Sequence, residues 1–216
     1  MKKILSPLIV LLFAITPGLL FAASPSHTAF IEGKVAFEAD PDREGAYRYI
    51  KKGVDLKNYA RIAIAPIEVW VHPDSVYQGI NADSFKVITD EMRQVLIDAL
   101  EPDYPVVDKA GPGTLGVRMA ITGIKLKKKE RGFFGYIPIG AAVIAVQDEV
   151  ASRTTLTDAV IEVELLDAAN GEQLGALVDQ SLATEFKGES QSWDEIKSML
   201  TFYAERFKAR LDKSRE

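Results

Sequence analysis

The chain contains no cysteine and only two histidines, His27 and His72, in 216 residues. The first absence excludes disulfides, thiolate metal sites, cysteine nucleophiles and lipid attachment through an N-terminal cysteine. The second leaves a zinc site poorly supplied. An excess of basic charge is missing too: 26 Lys and Arg against 31 Asp and Glu leave a formal charge of -5. That balance disfavours a protein that tracks the phosphates of nucleic acid, so no nucleic-acid partner is expected. No internal repeat or low-complexity tract is present either. What is there, 47% hydrophobic and 26% charged residues, is the composition of an ordinary globular chain. A mature form of about 190 residues buries roughly 70% of its unfolded surface without staples.

Lys2 and Lys3 precede an apolar run from Ile4 to Phe21, and Ala22, Ala23 and Ser24 follow. This order of charge, apolar stretch and small residues predicts a secretory signal peptide over residues 1–23, cut near 22 or 23. The expected location is the periplasm or the periphery of the outer membrane. An uncleaved inner-membrane anchor is the alternative, but Pro17 and Gly18 would interrupt it as a spanning helix.

Residues 24–59 are rich in Pro, Gly and charge and read as a lead-in that packs on a single α+β domain over residues 60–216. Within that domain, Ala60 to Val71 has the β-branched content of a buried strand, closed by the turn residues His72, Pro73 and Asp74. A helix opens at Asn81 or Asp83, carries Phe85, Ile88, Met92, Val95, Leu96, Ala99 and Leu100 on one face, and stops at Pro102. A short strand is expected at Tyr104 to Val107. Thr114 to Lys127 alternates as a strand and shifts phase at Gly123, as a bulge requires. In Leu156 to Leu166, Ile161, Val163 and Leu165 alternate with Glu162 and Glu164, which predicts one wet sheet face. Asn170-Gly171 signals a two-residue hairpin into Gln173 to Phe186. A capping box at Ser192-Trp193-Asp194-Glu195 starts a last helix striped by Trp193, Ile196, Leu200, Tyr203, Phe207 and Leu211. The economical architecture is a two-layer sandwich: a mixed, largely antiparallel sheet of about five strands with two helices on one face.

Three motifs have blander readings. Gly111, Gly113 and Gly116 match a dinucleotide fingerprint, but the residues after them alternate as a strand and Pro112 removes a donor, so a tight turn is expected. Asp40, Asp42, Glu44 and Gly45 copy the first half of a calcium loop. Lys51 stands where the closing carboxylate belongs, which predicts a solvated acidic turn that does not bind calcium. A Ser-His-Asp site would have to use His72 with Asp74, Ser75 or distant partners, and no G-x-S-x-G elbow exists. No catalytic residue, metal ligand or cofactor is assigned.

The least ordinary segment lies between the two long strands. Lys125, Lys127, Lys128, Lys129 and Arg131 are followed by Phe133 to Val146, fourteen residues without a charge and too short for an ordinary spanning helix. Two readings stay open. The stretch folds back as core, or Lys127, Lys128, Lys129 and Arg131 with Phe133, Phe134 and Tyr136 form an interaction loop for anionic headgroups or a partner's groove.

The runs Arg48 to Pro66 and Val69 to Gly79, the segment Pro105 to Ile121 with its GPGT turn, and the Asp167 to Gly171 hairpin together resemble a bacterial envelope family, often lipoproteins, catalogued as domain of unknown function 3313. The resemblance spans about Phe37 to Leu211. It implies export and an α/β envelope domain, and it implies no catalytic residues. Residue supply favours a non-catalytic envelope module that binds a protein or a membrane surface over the alternative, a secreted hydrolase using His72 with Ser or Asp partners.

Overall fold

The computed structural model describes residues 25, 29–33, 35–75, 82–128, 154–181 and 193–215. The expected signal peptide and the apolar stretch from Phe133 to Val146 therefore lie outside the described residues. Among these residues seven strands and two α-helices follow in the order β1 (Glu38–Ala39), β2 (Ala46–Ile50), β3 (Arg61–Ile64), β4 (Glu68–Val71), α1 (Ala82–Leu100), β5 (Thr114–Lys128), β6 (Thr154–Asp167), β7 (Gln173–Asp179) and α2 (Trp193–Lys213), with a 3-10 turn at Leu56–Asn58.

All seven strands join one open sheet of order β1-β2-β7-β6-β5-β3, with β4 also laid on β5. The expectation of about five strands falls short because the lead-in supplies β1 and β2, and β2 pairs antiparallel with β7. Ala60 to Val71 is two strands rather than one. Pro66, which has no N–H to give to a ladder, falls between β3 and β4, and both strands lie parallel to β5, one beside each half of it. Tyr104 to Val107 makes only a single bridge, Val106 to Ile62. The phase shift at Gly123 is real: its φ is +64° and the β5–β6 register slips there. The link from β6 to β7 is longer than two residues, although Gly171 takes the positive φ of +77° that such turns need.

One face of the sheet presents Leu115, Val117, Met119, Ile161 and Val163 to Met92, Val95, Leu96 and Leu100 of α1 and to Leu200, Tyr203, Ala204 and Leu211 of α2. The helical stripes read from the sequence thus coincide with this core wherever side chains are described. The opposite face is not wet. Phe30 and Ile31, 1% and 3% exposed, form a strap over Ala120, Ala176 and Val178, with Val35 and Phe37 beside them. Under this cover Glu162 and Glu164 are 0% and 1% exposed. The alternation read from β6 is correct about which residues share a face. It is wrong about water, because the cover comes from a segment more than a hundred residues earlier in the chain.

Candidate functional site

Of the seven residues named for an interaction loop, the structure describes the backbone of two. Lys127 and Lys128 end β5, opposite Thr155 and Thr154 of β6. Lys129, Arg131, Phe133, Phe134 and Tyr136 lie outside the described residues. The position of the first two is informative. β4 pairs with β5 as far as Ile124, and β7 pairs with β6 as far as Ile161. Beyond those points β5 and β6 pair only with each other among the described residues, so they leave the sheet as a two-stranded arm with the basic run at its far end. Over the last four residues of β5 that arm reaches about 13 Å.

His72 closes β4. Its backbone N–H donates to Ile124 O at 2.9 Å and its Nδ1 accepts from the Asp74 N–H at 3.0 Å. The Asp74 carboxylate stays 3.7 Å from the ring, the imidazole side chain is 34% exposed, and the nearby Ser75 is buried. The ring nitrogen that a triad would orient through a carboxylate is instead spent on the turn's own backbone.

Buried carboxylates held by arginines sit where the sequence predicts solvated acids. Glu164 accepts from Arg118 Nη1 at 2.7 Å, from Gln173 Nε2 at 2.7 Å and from the Glu32 N–H of the strap at 2.9 Å. Arg118 also lies 4.9 Å above the Phe30 ring and 3.5 Å and 3.9 Å from Glu32 and Glu68. Glu162 accepts from Thr122 Oγ1 at 2.6 Å. Asp40, expected in a solvated turn, has its side chain fully covered; Arg206 reaches it at 3.1 Å and Arg210 more closely still. Its carboxylate is therefore committed to two guanidinium groups of α2, while Asp42 and Glu44 remain exposed. Asp179 receives Arg43 Nε at 2.5 Å, and Arg43 reaches the Tyr203 hydroxyl of α2 at 2.8 Å. Each of these arginine-bound carboxylates ties a distant segment to the sheet or to α2. A buried anion held by a guanidinium fork is a geometric fastener.

Tyr104 and Asp212 close the end of α2. The Tyr104 hydroxyl donates to Asp212 Oδ1, and the Arg215 guanidinium stacks 4.3 Å from the Tyr104 ring. Burial, then the Asp212 hydrogen bond, raises the Tyr104 pKa; the same bond lowers that of Asp212. Nothing in the local sequence signals these pairs. Arg118, at an alternating position of β5 directly across from Glu164, is the one clue that the acids of β6 have a cation on their own face.

Among the described residues no helix is long and apolar enough to cross a membrane. Residues 30–207 match the model of a family described as protein of unknown function, DUF3313. The uncharacterized lipoprotein YdcL of Escherichia coli (strain K12) is 26% identical over 155 residues, covering 71% of this chain and 69% of that protein. The PelC dodecamer from Paraburkholderia phytofirmans aligns with 77% of this chain and 96% of its own at 11% identity, with a TM-score of 0.32. A DUF4136 family protein from Bacteroides thetaiotaomicron aligns with 79% of this chain and 96% of its own at 9% identity, with a TM-score of 0.37.

Proposed function

We propose, on the premise that the chain belongs to the DUF3313 family of proteins of unknown function, a non-catalytic role in the cell envelope. The observation that carries it is the kinship with a protein named as a lipoprotein, over 69% of that protein's length. The lysine-led apolar start, Lys2 to Ala23, supports export of this chain by a signal peptide. The chain has no cysteine to take a lipid, and we read the basic run as its contact with the envelope. The position of Lys127 and Lys128 at the end of the two-stranded arm supports that reading. Lys127, Lys128, Lys129 and Arg131 meet anionic headgroups, and Phe133, Phe134 and Tyr136 enter the interface.

Fractionation of cells expressing the full chain tests the location, with intact mass as the second readout: a mature form beginning near residue 23 in the envelope fraction is expected. Flotation of that form with anionic and with neutral vesicles tests the surface. Binding to anionic vesicles is expected to fall in Lys127→Gln/Lys128→Gln/Lys129→Gln and in Phe133→Ser/Phe134→Ser. A wild-type protein that never floats refutes the membrane surface. A full-length chain in the cytosol refutes export.

A further inference from the structure

On the helix side of the sheet, a cleft of about 480 Å³ runs between β4 and α1, lined by Pro66, Ile67 and Val69 on one side and by Lys86, Thr89, Asp90 and Arg93 on the other. The four helical residues recur at the three- and four-residue steps that put side chains on one face, so α1 forms a continuous wall. Among the described residues β4 pairs with β5 alone. Every second N–H and C=O of its other edge therefore points outward from the sheet, away from β5. Pro66 has no N–H, which ends any such ladder at the start of β4. From Ile67 to Val71, and from Lys86 to Arg93 along α1, the two walls match an extended segment of about four residues.

We propose that this cleft binds an extended acidic peptide segment of a partner protein, added as a further strand on the outer edge of β4. The charges choose the sign. Lys86 already pairs with Asp90 one turn on, and both are exposed. Among the lining residues two cations, Lys86 and Arg93, face one carboxylate, Asp90. The ion partner of Arg93, Asp108, stands outside the lining, 3.8 Å away and 96% exposed, and the Arg93 Nε reaches Ile64 O at 3.4 Å. A strand placed here alternates its side chains between two surroundings. One set faces Arg93 and Lys86 across the apolar floor and calls for carboxylates. The other lies on the far face beside the half-exposed Trp70, whose indole N–H donates to Glu68 at 2.9 Å, and calls for apolar groups. This site does not depend on export or on the β5–β6 arm.

The test uses the folded chain without residues 1–23 and a capped five-residue probe, acetyl-Glu-Val-Glu-Val-Glu-amide, with a lysine-for-glutamate analogue as control. Saturable binding at or below about 1 mM is expected for the acidic probe and not for the basic one. Amide shifts in the protein should move at Ile67–Val71 and Lys86–Arg93. Two further probes carry N-methyl groups on alternate amides; one should lose at least tenfold in affinity and the other should not, because only one set of amides faces the strand. Lys86→Glu changes an exposed residue and keeps the fold; with Arg93→Gln it should weaken the acidic probe about tenfold. No saturable binding, shifts confined to other residues, or N-methyl probes that bind alike would each overturn the proposal.

Discussion

Replacing Glu164 separates two pictures of the same strand. If the second sheet face were wet, Glu164→Ala would change stability by less than about 0.5 kcal/mol, as exposed substitutions do. In the structure the carboxylate is 1% exposed and serves three donors: Arg118, Gln173 and the strap's Glu32 N–H. Breaking a buried charge pair from one side costs about 3–5 kcal/mol. The lower end applies because the Arg118 side chain is itself 30% exposed and keeps Glu32 and Glu68 within 3.5 Å and 3.9 Å. What is stranded is the Glu32 amide, while Gln173 Nε2 keeps the Glu32 carbonyl at 3.3 Å. We therefore expect a loss of about 3 kcal/mol, which at a urea m-value of about 2 kcal/mol/M moves the midpoint down by roughly 1.5 M. The same loss lowers Tm by roughly 6–12 °C for a chain of this size. Glu164→Gln keeps the shape and one acceptor but not the charge, and should fall between wild type and the alanine variant. Urea unfolding followed by circular dichroism reads all three. A midpoint shift equivalent to less than about 0.5 kcal/mol for Glu164→Ala would refute the buried junction and restore the wet face.

Two more outcomes follow from the same geometry. Phe30→Ala empties a covered site and should cost about 3–5 kcal/mol, with the Glu32 amide losing protection from hydrogen exchange. Combined with Glu164→Ala the losses should be less than additive, since both release one strap, and a fully additive double variant would show that strap and carboxylate act independently. At alkaline pH, Tyr104 should ionise above its ordinary value of 10.0 because it is buried and bonded to Asp212. A raised value in the folded state contributes stability that is complete below about 10 and is lost as pH rises through the folded value. Ultraviolet difference titration of wild type against Tyr104→Phe checks this. A folded chain in which all seven tyrosines titrate at the ordinary value would contradict it.

The elements that were legible in the sequence are those whose partners are periodic or near. The helical stripe from Met92 to Leu100, the bulge at Gly123 and the long strands around it follow from spacing alone. The signal for the break between β3 and β4 is Pro66, which has no N–H for a ladder, but the β-branched residues on either side read as one strand. β1 and β2 are not legible because a two-residue exposed strand and a five-residue strand of mostly intermediate burial carry no alternation to count. The burial of Glu162 and Glu164 could not be read from β6 at all, since alternation reports which residues share a face and not what lies over it. For the candidate sites, composition alone marked the basic run at the end of β5. The cleft needs β4 and α1 side by side, a juxtaposition that no local pattern encodes.

The strap also has a place in time. Phe30 and Glu32 are made early, yet the Glu32 amide bonds to a carboxylate 132 residues further on, and the floor beneath Phe30 is Ala120, Ala176 and Val178. No docking surface exists for the strap until the three central strands have been made and paired. Its contacts therefore belong to the last stage of folding, when closing so long a loop no longer competes with forming the sheet. Contacts made after the barrier govern how fast the native state opens rather than how fast it forms. The segment from Phe30 to Glu32 thus acts as the final lock on the domain, and loosening it is expected to shorten the lifetime of the native state while leaving the folding rate nearly unchanged.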